Sequence, residues 1–520
     1  MELGAEKEYV GISAIYQFLG NGVQVVSGSL FYIFAARIFP PSDLGVIALF
    51  IAIVGLFGIV FTVGLNSAIT HFISSNLNSK VYSPGKTLFR ILVLGVLLAL
   101  AGLLVVYAFS GYISIIFFHA TSYTFYIKLL SIVLFGNIIF SILNGAIIGF
   151  EKFKISAVIS VIIWVIYYFG ALTLAFIDRS LIDIIYGWIL GLALGILIDF
   201  VYLLTILARG YMKRHHRTVG SRSIFVYAIP VLLSSIIGYG ASYTDRFVVA
   251  YLLNTYYLGI YNFTLLIFSG ISFIAIPFNN ITLPKFSEFF GNDQRSFIKS
   301  NVGASSLLLT YFYTPVALGI AALSPIVLYY IAGPAYVSGQ YALIVVMLVP
   351  TLFISQNLLI QAISSVRKTS FFLYSSLGSL VANVIFSFLL IPFFGLIGAA
   401  LGFSSVYVVS FIILYRLARK EDLVQYNISG TMKIWASSIV MFLIVYVALH
   451  FMVERFGYSL FVLPSLILLG GVIYLGLASR LRVFSREERE FILSMFPDRL
   501  NSIKKLISFL VLGNEKEVFS

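Results

Sequence analysis

The chain has 520 residues, of which 60% are hydrophobic and only 10% charged, and its mean hydropathy is +1.04. A water-soluble fold cannot bury that much apolar surface, so the composition excludes a soluble protein and points to an integral membrane protein. A net charge of +13 would suggest nucleic acid in a soluble chain, but here the positive-inside rule accounts for it and no nucleic-acid partner is expected.

Strand-type alternation is absent, which argues against an outer-membrane barrel, and the lack of any cysteine excludes disulfides and thiolate metal sites. The opening MELGAEKE is acidic where a signal peptide needs a basic start. The apolar run after it is too long for a signal h-region, so residues 10–38 are predicted to remain as the first transmembrane helix. Runs near or above the roughly 20 residues that cross a bilayer then recur at 43–74, 87–118, 124–150, 155–177 and 181–208. They continue at 223–253, 257–284, 300–332, 340–365, 369–391, 395–418, 433–453 and 458–479. The fold class is therefore an all-α polytopic membrane protein of about fourteen transmembrane helices, some long enough to tilt or project.

The charges agree with that alternation. With the N-terminus cytoplasmic, the inner loops carry Lys80, Lys86, Arg90, Lys152, Lys154 and the cluster Arg209, Lys213, Arg214, Arg217 and Arg222. Lys285, Arg295, Lys299, Arg367, Lys368, Arg416, Arg419, Lys420 and Lys433 follow on the same side. The other side has only Arg37, Lys128, Arg179, Arg246 and Arg455. Both termini are thus predicted to be cytoplasmic, in the cell membrane.

The basic loop 209–222 reads as a linker between two six-helix lobes, residues 1–208 and 223–420. Two appended helices (421–480) and a cytoplasmic tail (481–520) complete the chain. An internal echo supports the halves: Leu44-Gly45-Val46 opens the second span as Leu258-Gly259-Ile260 opens the eighth, and Gly187/Gly191 recur as Gly398/Gly402. An even number of helices per half makes the repeat parallel. In the tail, Ile492, Phe496, Ile503 and Ile507 alternate with charged residues, either as amphipathic surface helices or as a partly ordered segment.

Candidate functional residues are polar groups at membrane depth, where lipid leaves them unsatisfied. Ser13, Gln17, Asn21, Gln24 and Gly28 draw a stripe down the first helix, Asn137, Ser141 and Asn144 down the fourth, and Tyr227, Ser234, Gly238, Ser242 and Asp245 down the seventh. Each stripe alone fits interhelical hydrogen bonding, while three together favour a shared polar cavity. Gly187, Gly191, Gly195 and Asp199 line up on the sixth helix, the glycines as a close-packing face. Asp199 fits either an H+ or Na+ coupling site or a structural hydrogen bond. The adjacent Asp245 and Arg246 are either functional or snorkel to the headgroups. They lie about 100° apart round the helix and do not face each other. The five His are scattered, no P-loop, metal-ligand spacing or nucleophile elbow is present, and no cofactor is expected.

Short motifs in order carry a resemblance: Ala36-Arg37-Ile38-Phe39-Pro40, Asp43-Leu44-Gly45, Gly64-Leu65-Asn66 through Ser74, Tyr227 to Pro230, and Asp245-Arg246-Phe247. Leu258 to Tyr261, Asn383 and Ile391 through Ala400 continue it. Over nearly the whole membrane region the chain resembles the polysaccharide-transporter (Wzx-type) flippases of the MOP exporter superfamily, which also holds the MATE exporters. The resemblance implies two rocking six-helix lobes around a central cavity. It implies a polyprenyl-pyrophosphate-linked oligosaccharide as cargo, carried to the outer leaflet, with glycosyltransferases as pathway neighbours. Arg246, with Arg37 or Lys128, is then the expected attractor of the pyrophosphate. Two positions depart from the family pattern: His71 stands where an arginine is common, and the first helix lacks the carboxylate that MATE exporters use for coupling. An ion-coupled exporter of small organic cations is the alternative and would need an acidic cavity. A membrane glycosyltransferase or polymerase would need a large hydrophilic loop that this chain lacks.

Overall fold

The computed structural model describes residues 2–77, 79, 81–208, 217–459 and 461–484, and in the first helix the side chains of Tyr16, Gln17, Gly20 and Gly22 onward. The regular elements among these residues are helices. That is what a bilayer core demands, because a helix satisfies its own backbone where no water can. Most of the basic linker (209–216) and the predicted amphipathic tail from residue 485 lie outside the described residues.

Packing divides the chain into two compact units, Met1–Gly259 and Ile260–Ser520. The first contains α1 (Glu2–Ile38), α2 (Pro41–Thr62), α3 (Leu65–Ser74), α4 (Pro84–Ala108), α5 (Ser110–Phe118) and α6 (Thr124–Gly149). It continues with α7 (Phe153–Val165), which runs through a π-helical turn into α8 (Ala171–Asp178), then α9 (Leu181–Ile206) and α10 (Ser221–Leu252). The unit boundary falls in the first turns of α11 (Thr255–Ser272), so α10 packs with the helices before the linker. The second unit holds the remainder of α11 with α12 (Ala275–Gly291), α13 (Arg295–Ala322), α14 (Ser324–Ile331), α15 (Gln340–Leu352) and α16 (Gln356–Ser365). It ends with α17 (Ser370–Phe394), α18 (Leu396–Lys420), α19 (Ile428–Phe456) and α20 (Val462–Arg480).

Among the described residues, 12 helices are long and apolar enough to cross a membrane, and the bent pair α11–α12 makes a thirteenth. With α1, whose Gly22–Ile38 portion is apolar, this matches the expected polytopic fold of about fourteen spans. Several of the long expected spans break, whereas 223–253 stays one helix, α10. Residues 43–74 form α2 and α3, separated where Val63 and Gly64 take left-handed φ values of 50° and 70°. Residues 87–118 likewise become α4 and α5, and 257–284 falls on α11 and α12, bent by 45°. The expected 300–332 span is α13 and α14, with a proline in the first turn of α14, and 340–365 is α15 and α16.

The two Leu-Gly motifs that echo each other in sequence meet in space. A Cβ on Gly45 would stand 1.7 Å from the Thr255 carbonyl oxygen, and one on Gly259 would stand 1.9 Å from that of Pro41. Glycine is required there because the two helix starts touch backbone to backbone. In the second unit, Gly395 at φ 54° makes the turn between α17 and α18. The appended α19 and α20 dock on α13 through a core that includes Leu307, Tyr311, Ile434, Met441 and Tyr474. The Tyr474 hydroxyl donates to the Tyr311 carbonyl at 2.7 Å.

Candidate functional site

Helices of the first unit converge on a hollow of about 720 Å³. α3 supplies Asn66, Ser67, Thr70 and His71, and α6 supplies Asn137, Ser141 and Asn144. Gln24 of α1, Ser160 and Trp164 of α7 and Tyr227 of α10 complete the polar and aromatic lining. Helical spacing explains the convergence: residues three or four apart share a face, which sets Asn137, Ser141 and Asn144 in one row and Asn66 and Thr70 in another. The rows are joined where Thr70 Oγ1 donates to the Gly145 carbonyl at 2.8 Å. α6 is tied to α7 where the buried Ser156 Oγ donates to Asn144 Oδ1 at 3.0 Å and the Asn144 amide reaches Ser160 Oγ at 3.5 Å. At another edge His71 stacks on Tyr227, with ring centroids 4.6 Å apart and planes 5° from parallel.

Among the described residues the lining contains no Asp, Glu, Lys or Arg. Its amides and hydroxyls both donate and accept, and its aromatic rings offer flat apolar faces. Such a surface suits a neutral ligand rich in hydroxyl groups, and its volume is typical of ligand sites, which span about 300–1,000 Å³.

A second hollow of about 270 Å³ shares Asn66, Asn137 and Ser141 with the first and reaches Ser235 and Tyr239 of α10. The Tyr239 hydroxyl donates to the Ala52 carbonyl at 2.7 Å, which fixes its ring. Tyr243 stacks on Tyr239 at 4.3 Å with planes 6° apart, and the Arg246 guanidinium lies 4.3 Å over Tyr243. Arg246 also donates to the Ser242 carbonyl at 2.6 Å. An aromatic ladder therefore leads from the neutral hollow to a held cation.

The structure brings together Gln24, Asn137 and Asn144 of the expected site residues. Gln17, on the same helix as Gln24, reaches the Phe153 carbonyl at 3.5 Å, while the Asn21 side chain lies outside the described residues. Ser234 and Ser242 are exposed, and each spends its hydroxyl on its own helix, 2.9 Å from the carbonyls of Pro230 and Gly238. Asp245 is buried. Arg37 is exposed near the end of α1, and Lys128 lies 5.1 Å over the Tyr107 ring; neither is among the residues lining the hollows.

Asp199 is fully buried at the end of the α9 glycine row. That row packs tightly: a Cβ on Gly187 would stand 2.3 Å from Ala171 Cα, and one on Gly191 would stand 2.8 Å from Tyr167 Cα. Neither Asp199 oxygen has a hydrogen-bond partner among the described residues. Its polar neighbour is Asn144, so the carboxylate sits directly behind the wall of the hollow.

Sequence reasoning left α3 and α7 out of the site. The signal in α3 was the four-residue spacing of Asn66 and Thr70 just after Gly64. In α7, Ser156, Ser160 and Trp164 carry the same four-residue spacing, a row among apolar residues that the sequence reading does not take up.

A family model described as polysaccharide biosynthesis protein matches residues 34–340. A search of curated protein sequences finds no significant match. Among solved structures, the chain is similar to the lipid II flippase MurJ in an inward closed conformation, with a TM-score of 0.69 and 15% identity over 92% of this chain and 99% of that one. It is also similar to an inward-facing multidrug resistance MATE family transporter of the MOP superfamily, with a TM-score of 0.63 and 14% identity over 78% and 94% of the two chains. A MOP superfamily transporter from Pyrococcus furiosus, described as having a binding pocket of reversed polarity, gives 0.53 and 14% over 80% and 95%. At these identities the likeness establishes the fold.

Proposed function

The chain belongs to the polysaccharide biosynthesis protein family, and from that premise we propose that it is a flippase for a polyprenyl-pyrophosphate-linked oligosaccharide. It carries the glycan headgroup from the cytoplasmic to the outer leaflet by alternating access, while the lipid tail stays in the bilayer. The observation that carries the reading is the neutral amide and hydroxyl lining of the 720 Å³ hollow. Gln24, Asn137 and Asn144 hold sugar hydroxyls there, and Gln17 extends the polar row along α1. Arg246, at the end of the Tyr239–Tyr243 ladder, takes the pyrophosphate, to which a guanidinium offers paired hydrogen bonds. An exporter of organic cations would favour carboxylates in the lining, and among the described residues the lining is amides, hydroxyls and aromatic rings. The similar structures are transporters, and a non-enzymatic role follows from the same reading.

Coupling is assigned to Asp199. A carboxylate buried at membrane depth with Asn144 as its polar neighbour is costly to leave uncompensated, which suits a site for a proton or Na+. Because Asn144 lies between it and the hollow, each change of charge alters an amide that the ligand touches. Both termini are placed in the cytoplasm and the protein in the cell membrane, following the basic loops.

The test is a proteoliposome assay with a labelled lipid-linked oligosaccharide. Wild-type protein exposes the glycan on the opposite leaflet with its linkage unchanged, and Arg246→Ala slows this by at least about tenfold, the loss of one charge-assisted contact. New glycosidic bonds, or full transport by Arg246→Ala at normal protein levels, would overturn the proposal.

A further inference from the structure

A second surface feature of the first unit is unrelated to the hollow. Where α4 and α10 begin, a groove of about 500 Å³ is lined by Lys86, Arg90, Thr218 and Ser221 at one end and by Phe89, Val93 and Leu94 at the other. Its shape is held by the chain itself. Arg90 donates to the Val219 carbonyl at 2.8 Å, the Ser83 amide donates to the Arg217 carbonyl at 3.0 Å, and Tyr82 pairs with Arg217 as an isolated β-bridge. The segment leading into α10 is thus strapped to the first turn of α4.

The polar end is cationic without compensation. Neither Lys86 nor Arg90 takes part in an ion pair among the described residues, and no Asp or Glu lines the groove. The sequence contains no carboxylate between Asp43 and Glu151, nor between Asp199 and Asp245, so both strands of the groove come from acid-free stretches. Thr218 and Ser221 add hydroxyl donors. The first turn of α10 has no side-chain cap, which leaves amides whose dipole favours an anion.

The apolar end continues rather than closes. Phe89 is 66% exposed, and Val93, Leu97, Leu100 and Leu104 follow it as exposed residues at helical spacing along α4. In a multi-pass membrane protein that stripe meets acyl chains. A cationic, hydroxyl-rich head above an apolar track complements an amphipathic anion and not a free one.

We infer that this groove binds an anionic phospholipid of the surrounding bilayer, its phosphate between Lys86 and Arg90 and an acyl chain along α4. The phosphate accepts from the ammonium, the free guanidinium N–H groups and the two hydroxyls. Occupancy ties residues 217–221 more firmly to α4. Under the orientation proposed above, this lipid belongs to the cytoplasmic leaflet, where anionic headgroups attract basic segments.

Full-length protein in detergent, titrated with phosphatidylglycerol and followed by native mass spectrometry, tests the assignment. One bound phosphatidylglycerol per chain weakens about fivefold in Lys86→Gln and about 25-fold in Lys86→Gln/Arg90→Gln, from the usual contribution per basic residue. Arg90 also braces Val219, so the single Lys86 variant, which leaves that bond in place, keeps the test independent of folding. Arg455→Gln, near the end of α19, changes nothing. Phosphatidylcholine binding as tightly as phosphatidylglycerol, or wild-type affinity in both variants, would overturn the inference. Displacement of the lipid by millimolar inorganic phosphate would make this a free-anion site. Displacement by a lipid-linked oligosaccharide would make it part of the substrate path; either result refutes a bilayer phospholipid.

Discussion

Around the hollow of the first unit, Asn66, Thr70, Asn137, Ser141 and Asn144 are half-buried and border open space. In the second unit the same residue types are closed in: Asn301, Thr310, Thr314, Asn383, Ser387 and Ser404 are all buried. Several of these bond within their own helix. Thr310 Oγ1 donates to the Ser306 carbonyl at 2.7 Å, Ser404 Oγ to that of Ala400 at 2.6 Å, and Ser387 Oγ to Asn383 Oδ1 at 2.9 Å. A polar row on a membrane helix therefore has two fates. Where another helix packs against it, most of these groups bond to a nearby backbone or side-chain acceptor and the row contributes to folding, although Thr314 Oγ1 is buried without a partner among the described residues. Where the opposite face is left open, the amides keep donors and acceptors for a ligand.

Substitutions in the two rows should then fall on different readouts. Asn137 faces the hollow and has no hydrogen bond among the described residues, so Asn137→Leu should cut glycan-lipid transport by about tenfold or more, roughly 1.4 kcal/mol of lost binding. Its melting temperature should stay close to wild type. Asp199→Asn comes next. Keeping shape but removing the charge should leave several-fold slower transport that no longer responds to a proton or Na+ gradient, measured by imposing each gradient across proteoliposomes. Asn383→Leu should act on stability instead, by about 0.6–1.7 kcal/mol, the range for interhelical and buried polar contacts in membranes, seen as a lower melting temperature. The contrast between the units collapses if Asn137→Leu unfolds the protein while Asn383→Leu spares it.

Much of this architecture is legible in the sequence. Run length alone predicts the spans, because a bilayer imposes one thickness on every helix. It does not show that the span at 43–74 breaks at Val63 and Gly64, since both halves are apolar and only backbone conformation distinguishes them. The repeated Leu-Gly motifs read as an echo of two halves. Their physical cause is mutual contact between Gly45 and Thr255 and between Gly259 and Pro41, which a one-dimensional pattern cannot display. The α1 and α6 rows contain Gln24, Asn137 and Asn144, which line one hollow. Spacing identifies a face but not what packs opposite it, and that is why Ser160 and Trp164 were missed.

The smallest expected effect tests that limit at single-residue resolution. On α10 the predicted row ran through Ser234 and Ser242, whereas Ser235 and Tyr239, one position round the helix, border the smaller hollow. A shift of one residue turns a side chain by about 100°, enough to exchange a lining position for an outward one. Ser234 and Ser242 already satisfy their hydroxyls on the carbonyls four residues back. The double substitution Ser234→Ala/Ser242→Ala should therefore change transport less than twofold and stability by no more than about 0.5 kcal/mol. Ser235→Ala removes a hydroxyl from the lining and should slow transport two- to threefold, at about 0.5 kcal/mol for a neutral hydrogen bond to the ligand. If the double variant proves the slower of the two in initial-rate flipping assays, the ligand meets the Ser234 face, and the hollow bordered by Ser235 is not where the glycan sits.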